Sequence, residues 1–375
     1  MNQTSINALA LAIQVKQPVI LVGMPGIAKT KLTYAVCRAL GLPFHVINLQ
    51  DYAQEDIGGF PAPDFDRGFV RKLPDELFAN LEADCVIVWD EFGQADEHKQ
   101  GAANRVIYEN HAGTYPLPEG TRHVLTTNPP EQSAGGTDIT PPSANRLMWI
   151  PWMPDTKVWF EAALRGVADA KSCRVKFPDP AVPHVPEEWY NLIMPQLTLI
   201  VAYGRARQDV IAAYPKTHVE ACGPWPSFRS WESVAVMDAA CQASGLDDDV
   251  RLMCFSGLIG NARAMEYLTY LRELDLPDTE DLLRKPDKFK LPPRGDQRYA
   301  ILASVTGAVV RHFTDDRYHA AWKIFDTARA GGAGDIAVAS ASSLAAMHKH
   351  LKGPGPRKEM EAFLPLLKKT GLIPA

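Results

Sequence analysis

Residues 19–30 read VILVGMPGIAKT, an apolar run of β type that breaks at Gly23, passes through Pro25 and Gly26 and ends on Lys29 and Thr30. A helix-patterned segment follows at once. Small residues between a strand and a helix let backbone N–H groups close around a polyphosphate, and the helix N-terminus adds partial positive charge. In that layout the Lys29 amine reaches the β- and γ-phosphates and the Thr30 hydroxyl enters a Mg²⁺ shell. The pattern G-x-x-x-x-G-K-[ST] is met except at its second glycine, which here is Ala28. A methyl is expected there only if the backbone avoids positive φ. The plain alternative is a strand–turn–helix corner with a solvated lysine.

A second group of residues fits the same chemistry. CVIVWDE (85–91) is a buried-strand pattern ending in two acids, which a parallel sheet would place at its C-terminal edge, where ligands of such sheets bind. There Asp90 would serve Mg²⁺ and Glu91 would polarise a water for attack on a phosphorus. The same acids also suit the start of a helix. HVLTTN (123–128) is another apolar strand with a polar tip, so Asn128 is expected beside the acids, unless it only forms a turn before proline. Arg146, in PPSANRLMWIPW, lies at the edge of the α/β pattern and could project toward a neighbouring subunit's nucleotide; a surface salt bridge is the alternative. Arg229 opens the helical pattern PSFRSWESVAVMDAACQASG, whose start falls near Ser227 or Phe228. A cation in a first turn opposes the helix dipole, a cost a bound anion would offset; pairing with Glu232 is the alternative.

These residues need a scaffold. Through about residue 150, strand patterns (19–22, 44–49, 85–89, 123–127, 147–150) alternate with helix patterns (30–40, 74–81, 97–110), as in an α/β fold with a mainly parallel sheet. Residues 56–74 read as a hairpin-like insertion, and 111–122 as a second turn-rich insert. Phe60, Phe65 and Phe69 of the first could face a channel, although packing the hairpin onto the core is the commoner fate of such aromatics. After Trp152 strand signals fade. A Pro-rich linker (172–189) precedes helical patterns at 195–213, 229–243, 247–273 and 298–328, and ARAGGAGD (328–335) reads as a breaker. The expected divisions are 1–155 (nucleotide-binding core), 156–285 (helical lid) and 286–375 (helical extension).

Composition narrows the classes. The 375 residues carry a net charge of −5, with no concentrated basic stripe, which argues against a nucleic-acid or anionic-membrane binder. No secretion signal and no run long enough to span a membrane is read, and the six scattered cysteines (37, 85, 173, 222, 241, 254) show no zinc spacing. A cytoplasmic protein is expected.

Taken in order, GMPGIAKT, VIVWDE, LTTN, the Arg146 segment and PSFRSWE resemble the Walker A, Walker B, sensor 1, arginine-finger and sensor 2 elements of AAA+ ATPases. The inserts resemble those of the clade with insertions in helix 2 and before sensor 1. Within it the chain is most similar to the MoxR family, on the loop with its Ala28, on LPEGTRHVLTTNPPE (117–131) and on GLIGNARAMEYLTYL (257–271). The resemblance implies a P-loop αβα core with a parallel sheet, an all-α lid and a helical extension. It also implies ATP and Mg²⁺ as cofactors, with nucleotide contacts from Gly23, Pro25, Gly26, Ile27, Ala28, Lys29, Thr30 and Lys31. Metal contacts would come from Thr30 and Asp90, and catalytic roles fall to Glu91, Asn128, Arg146 in trans and Arg229 in cis. Such proteins form hexameric rings, act on protein clients and often work with a von Willebrand A domain partner. Leu147 departs from the family's usual Phe, and residues 286–375 look family-specific. A nucleic-acid motor, a small-molecule phosphotransferase and a nucleotide-gated scaffold with little turnover are the competing functions.

Overall fold

Val19, Ile20 and Leu21 have no measurable exposure, which is why four consecutive apolar residues make a central strand here rather than a surface one. That strand, β1 (Val19–Val22), belongs to a five-stranded sheet with β2 (Phe44–Asn48), β5 (Asp84–Asp90), β8 (Gly120–Thr127) and β9 (Met148–Pro151). The computed structural model describes residues 3–129, 139–153, 155–165, 177–274 and 276–369. Contacts group the chain into two units: Met1–Pro183 with Tyr214–Trp225 and Met253–Gly260, and His184–Ala213 with Pro226–Leu252 and Asn261–Ala375.

In the first unit the strand order is β2-β5-β8-β1-β9 and every pairing is parallel. Parallel neighbours need crossovers. These are supplied by α2 (Lys29–Ala39), the short α3 (Gln54–Gly58) and α4 (Glu76–Ala79), α5 (Glu97–Glu109) and α6 (Pro141–Ala144), while α1 (Gln3–Gln14) precedes the first strand. β1 runs between β8 and β9, whereas β2, next in sequence, lies at the far edge. Such a reversal in strand order opens a crevice at the C-terminal ends. The register aligns those ends: Val22 pairs with Thr127 and Asn48 with Asp90. Ile20, Ile47, Ile87, Trp89 and Leu125 form the core beneath, each full burial of an Ile- or Leu-sized side chain contributing about 1.5–3 kcal/mol.

Both inserts are hairpins. β3 (Phe60–Asp64) pairs antiparallel with β4 (Phe69–Leu73), and β6 (His111–Ala112) with β7 (Tyr115–Pro116). They touch each other: Thr114 donates from its N–H (3.2 Å) and its hydroxyl (2.8 Å) to the Lys72 carbonyl. Gly59 and Gly113 permit this approach, since a Cβ on Gly59 would come within 2.8 Å of the Gly113 Cα. The expectation that the phenylalanines pack down is overturned. Phe60 is 65%, Phe65 89% and Phe69 49% exposed, because a two-stranded ribbon standing off the sheet has no second layer to bury them against.

Among the described residues no strand follows β9. The 247–273 pattern is two helices, Asp248–Ile259 and Asn261–Arg272, parted at Gly260 with φ +81°. The 298–328 pattern likewise divides into Gly295–Arg311 and Asp315–Ala328, the second capped by the Thr314 hydroxyl accepting from the Arg317 N–H. The expected breaker is there: the chain kinks at Gly332, whose φ of +81° is not helical, between Asp315–Ala328 and the next helix, Gly334–Ala346. Tyr318, Trp322, Phe325 and Phe363 centre the core of the second unit.

Candidate functional site: a phosphate-binding crevice

The loop after β1 leaves the sheet through Gly23, whose N–H donates to the Thr127 carbonyl at 3.2 Å. A Cβ there would lie 2.6 Å from the Trp152 carbonyl oxygen, so the close approach of two chain segments requires glycine. Gly26 takes φ +81°, and Ala28, the residue before α2, takes φ +63°. The expected avoidance of positive φ at Ala28 is therefore wrong: alanine keeps the left-handed turn that the loop needs, at a cost of about 1–2 kcal/mol. Pro25 and Gly26 are exposed, Ile27 and Ala28 half-buried, and Lys31 exposed on the first turn of α2.

Lys29 reaches back across its own loop. Its ammonium donates to the carbonyls of Gly23 (2.6 Å) and Met24 (3.1 Å) and to Asn128 Oδ1 (2.8 Å). Burial lowers its pKa from the usual lysine value, and the carboxylates of Asp90 and Glu91 oppose that shift. The strand tips of β1 and β8 are thus joined through one cation.

A second bridge joins α2 to β5. The Thr30 hydroxyl lies 3.0 Å from each oxygen of the Asp90 carboxylate, and the Thr126 hydroxyl donates to the same carboxylate. Thr126 also accepts from the Glu91 N–H at 3.3 Å. Glu91 itself sits at φ +55°, an uncommon conformation for a glutamate, at the junction of β5 and the turn Phe92–Gln94. An alcohol and a carboxylate in contact offer the hard oxygen donors that Mg²⁺ takes alongside phosphate and water. Among the described residues no cluster of three or more His, Cys, Asp or Glu could hold a metal by protein ligands alone. The donor set therefore fits a Mg²⁺ that arrives with a phosphate.

These groups line a crevice of about 710 Å³, large enough for a nucleotide. Its wall includes Pro25 to Leu32, Asp90, Glu91 and Thr126 to Asn128. Sequence reading missed Asp155, Thr156, Val158, Trp159 and Phe177, which extend the wall. The apolar and aromatic part of that surface, from helix α7 (Thr156–Arg165) and from Phe177, suits a base while the loop suits phosphates. Arg38 on α2 fixes the Phe177 backbone, donating to its carbonyl (3.3 Å) and pairing with Asp179 (2.9 Å). The WF pair at 159–160 was the available signal, but residues 166–176 that separate it from Phe177 lie outside the described residues.

Arg146 is not part of this wall. It follows α6, half-buried, with its guanidinium carbon 5.0 Å from the centre of the Tyr108 ring. Its neighbour is an aromatic face, not the acid that a surface salt bridge would need. Arg229 belongs to the second unit, exposed in the first turn of Phe228–Ala243, which starts where expected and is capped by Ser227. Among the described residues it forms no ion pair with Glu232 or any other acid. Cys37, Cys85, Cys241 and Cys254 are buried, Cys222 is partly exposed, and Cys173 lies outside the described residues. No described helix is long and apolar enough to cross a membrane. Pro130 and Glu131, the end of the 117–131 match, and residues 172–176 of the expected linker also fall outside the described residues.

Residues 18–134 match the family model for the AAA domain (dynein-related subfamily). No curated protein matches the chain. Among solved structures the chain is similar to one described as "a putative ATPase from Cytophaga hutchinsonii ATCC 33406", at 20% identity, covering 71% of this chain and 88% of that chain with a TM-score of 0.43. With the loop, the paired acids and the polar strand tip all inside the matched segment, the chain carries an AAA-type ATPase domain built on a five-stranded parallel sheet.

Proposed function

We propose that the protein is a MoxR-like AAA+ motor that hydrolyses ATP with Mg²⁺ in a ring, six-membered in the family it resembles, to remodel or activate a protein client or insert its cofactor. A von Willebrand A domain partner and a cytoplasmic setting belong to the same reading. One observation carries it: Lys29, Thr30, Asp90, Glu91 and Asn128, drawn from three separate stretches of sequence, meet in one crevice at the C-terminal edge of the sheet.

The contacts in the crevice support this division of roles, and the resemblance adds the two arginines. Backbone N–H groups of residues 26–30 and the α2 N-terminus cradle the phosphates, and Lys29 exchanges its carbonyl partners for β- and γ-oxygens. Thr30 and Asp90 hold Mg²⁺, which when bound neutralises charge between the phosphates. Glu91 accepts a proton from the attacking water, and Asn128 orients that water or a γ-oxygen. Arg146 of a second copy stabilises charge on the transferring phosphoryl group, and Arg229 does so within its own chain. The Lys29–Asn128 bond supports a site that senses the γ-phosphate, because a phosphate there competes for the same ammonium.

The test is Glu91→Gln. ATP binding measured by calorimetry stays within a few-fold of wild type, while turnover falls by about 10²–10⁴, the usual contribution of a positioned base. Wild-type turnover per subunit rises with protein concentration as the ring assembles. Unchanged turnover in Glu91→Gln would mark a switch that merely binds nucleotide. Turnover stimulated by salt-sensitive DNA or RNA binding would favour a nucleic-acid motor, and phosphate transfer to a metabolite a kinase.

A further inference from the structure

α5 presents a polar stripe to the segment that carries Arg146. Gln100, Asn104 and Tyr108 recur every four residues and so share one helix face. Each engages residues 140–146. The fully buried Gln100 accepts from the Thr140 N–H at 3.1 Å. The Asn104 amide exchanges bonds of 2.8 and 3.0 Å with the Ser143 hydroxyl, which also meets the Thr140 hydroxyl at 2.7 Å. The Tyr108 hydroxyl donates to the Ser143 carbonyl at 3.4 Å, and its ring lies against Arg146.

Three successive turns of one helix therefore fix the register of a short segment whose last residue is a cation. Stacking on a ring engages the face of a guanidinium and leaves its N–H edge, and its full charge, available for an anion. A carboxylate partner would spend both. Among the described residues Arg146 makes no ion pair.

We propose that this face of α5 is a cradle that presents Arg146 to the nucleotide of a neighbouring copy, with the Tyr108 ring as its positioning element. The inference rests on the ring-ATPase reading above and adds to it the residue that aims the arginine.

Mixed subunits test it. Tyr108→Leu alone hydrolyses ATP about ten-fold more slowly at saturation, as expected for loss of a partly desolvated cation–π contact, with ATP affinity and melting temperature unchanged. Tyr108→Phe, which keeps the ring, retains most of the wild-type turnover. An excess of Glu91→Gln chains, which lack their own base but carry an intact Arg146, raises turnover per Tyr108→Leu chain toward wild type. Rescue of Arg146→Ala but not of Tyr108→Leu in that mixture overturns the role of Tyr108 alone. Rescue of neither overturns the action of Arg146 across subunits. A loss in Tyr108→Phe as large as in Tyr108→Leu also overturns the inference, since the hydroxyl bond would then be the working contact. Should Tyr108→Leu melt early, Tyr108→Trp carries the comparison: it matches wild type, and a ten-fold loss there contradicts the proposal.

Discussion

Ala28 and Glu91 both occupy left-handed backbone, and both border the crevice. For Ala28, replacement by glycine removes a cost of about 1–2 kcal/mol but adds about 0.5–1 kcal/mol of unfolded-chain entropy. Ala28→Gly is therefore expected to stabilise the chain by about 0.5–1 kcal/mol in denaturant unfolding; a loss of stability would show that the methyl makes contacts that matter more than the turn. Neither strained residue was legible in the sequence. A motif specifies residue types and spacing, whereas positive φ at alanine or glutamate is imposed by neighbours, here the Thr126 hydroxyl that receives the Glu91 N–H. Lys29, Thr30, Asp90 and Asn128 were legible because strand tips at one sheet edge have few other places to go. Thr126 was missed: a threonine within a buried strand reads as ordinary β composition until its hydroxyl is seen on Asp90.

The five strands of the sheet and helices α2, α4 and α5 were legible to within a few residues, since buried parallel strands give continuous apolar runs, whereas α1, α3, α6 and α7 were not read. What periodicity could not supply was the breaks at Gly260 and Thr314 and the fate of the hairpin aromatics, all decided by tertiary packing. One element carries a pH signature. β8 buries His123, whose Nδ1 accepts from the Trp89 indole N–H at 3.2 Å, and burial pushes its pKa down to about 3 from 6.5. Between those values the unfolded chain binds a proton that the folded chain refuses, so stability falls as pH drops below about 6.5. Comparing wild type with His123→Gln, whose amide can still accept from the indole, isolates this effect. Between pH 7 and 5.5 wild type should lose about 1 kcal/mol more than the variant in denaturant unfolding. Equal losses would mean that His123 titrates normally in the fold.

At the scale of the whole chain, the first unit contains every group placed in the crevice, while Arg229 is carried by the second. Under the proposed function, the acidic net charge and the exposed phenylalanines of the first hairpin favour a protein client over a nucleic acid. The second unit's helices were legible as helices, but what residues 286–375 act on was not, because an amphipathic helix pattern records burial and carries no chemistry. In the proposed function a magnesium-bound triphosphate lodges between the Lys29 turn and the Asp90–Glu91 tip. Calorimetric titration of Lys29→Ala with ATP and Mg²⁺, run beside a turnover assay on the same sample, tests it most directly. Loss of one charge-assisted phosphate contact of about 1.5–3 kcal/mol predicts affinity at least ten-fold weaker and turnover near background. Wild-type affinity and turnover in that variant would contradict the account.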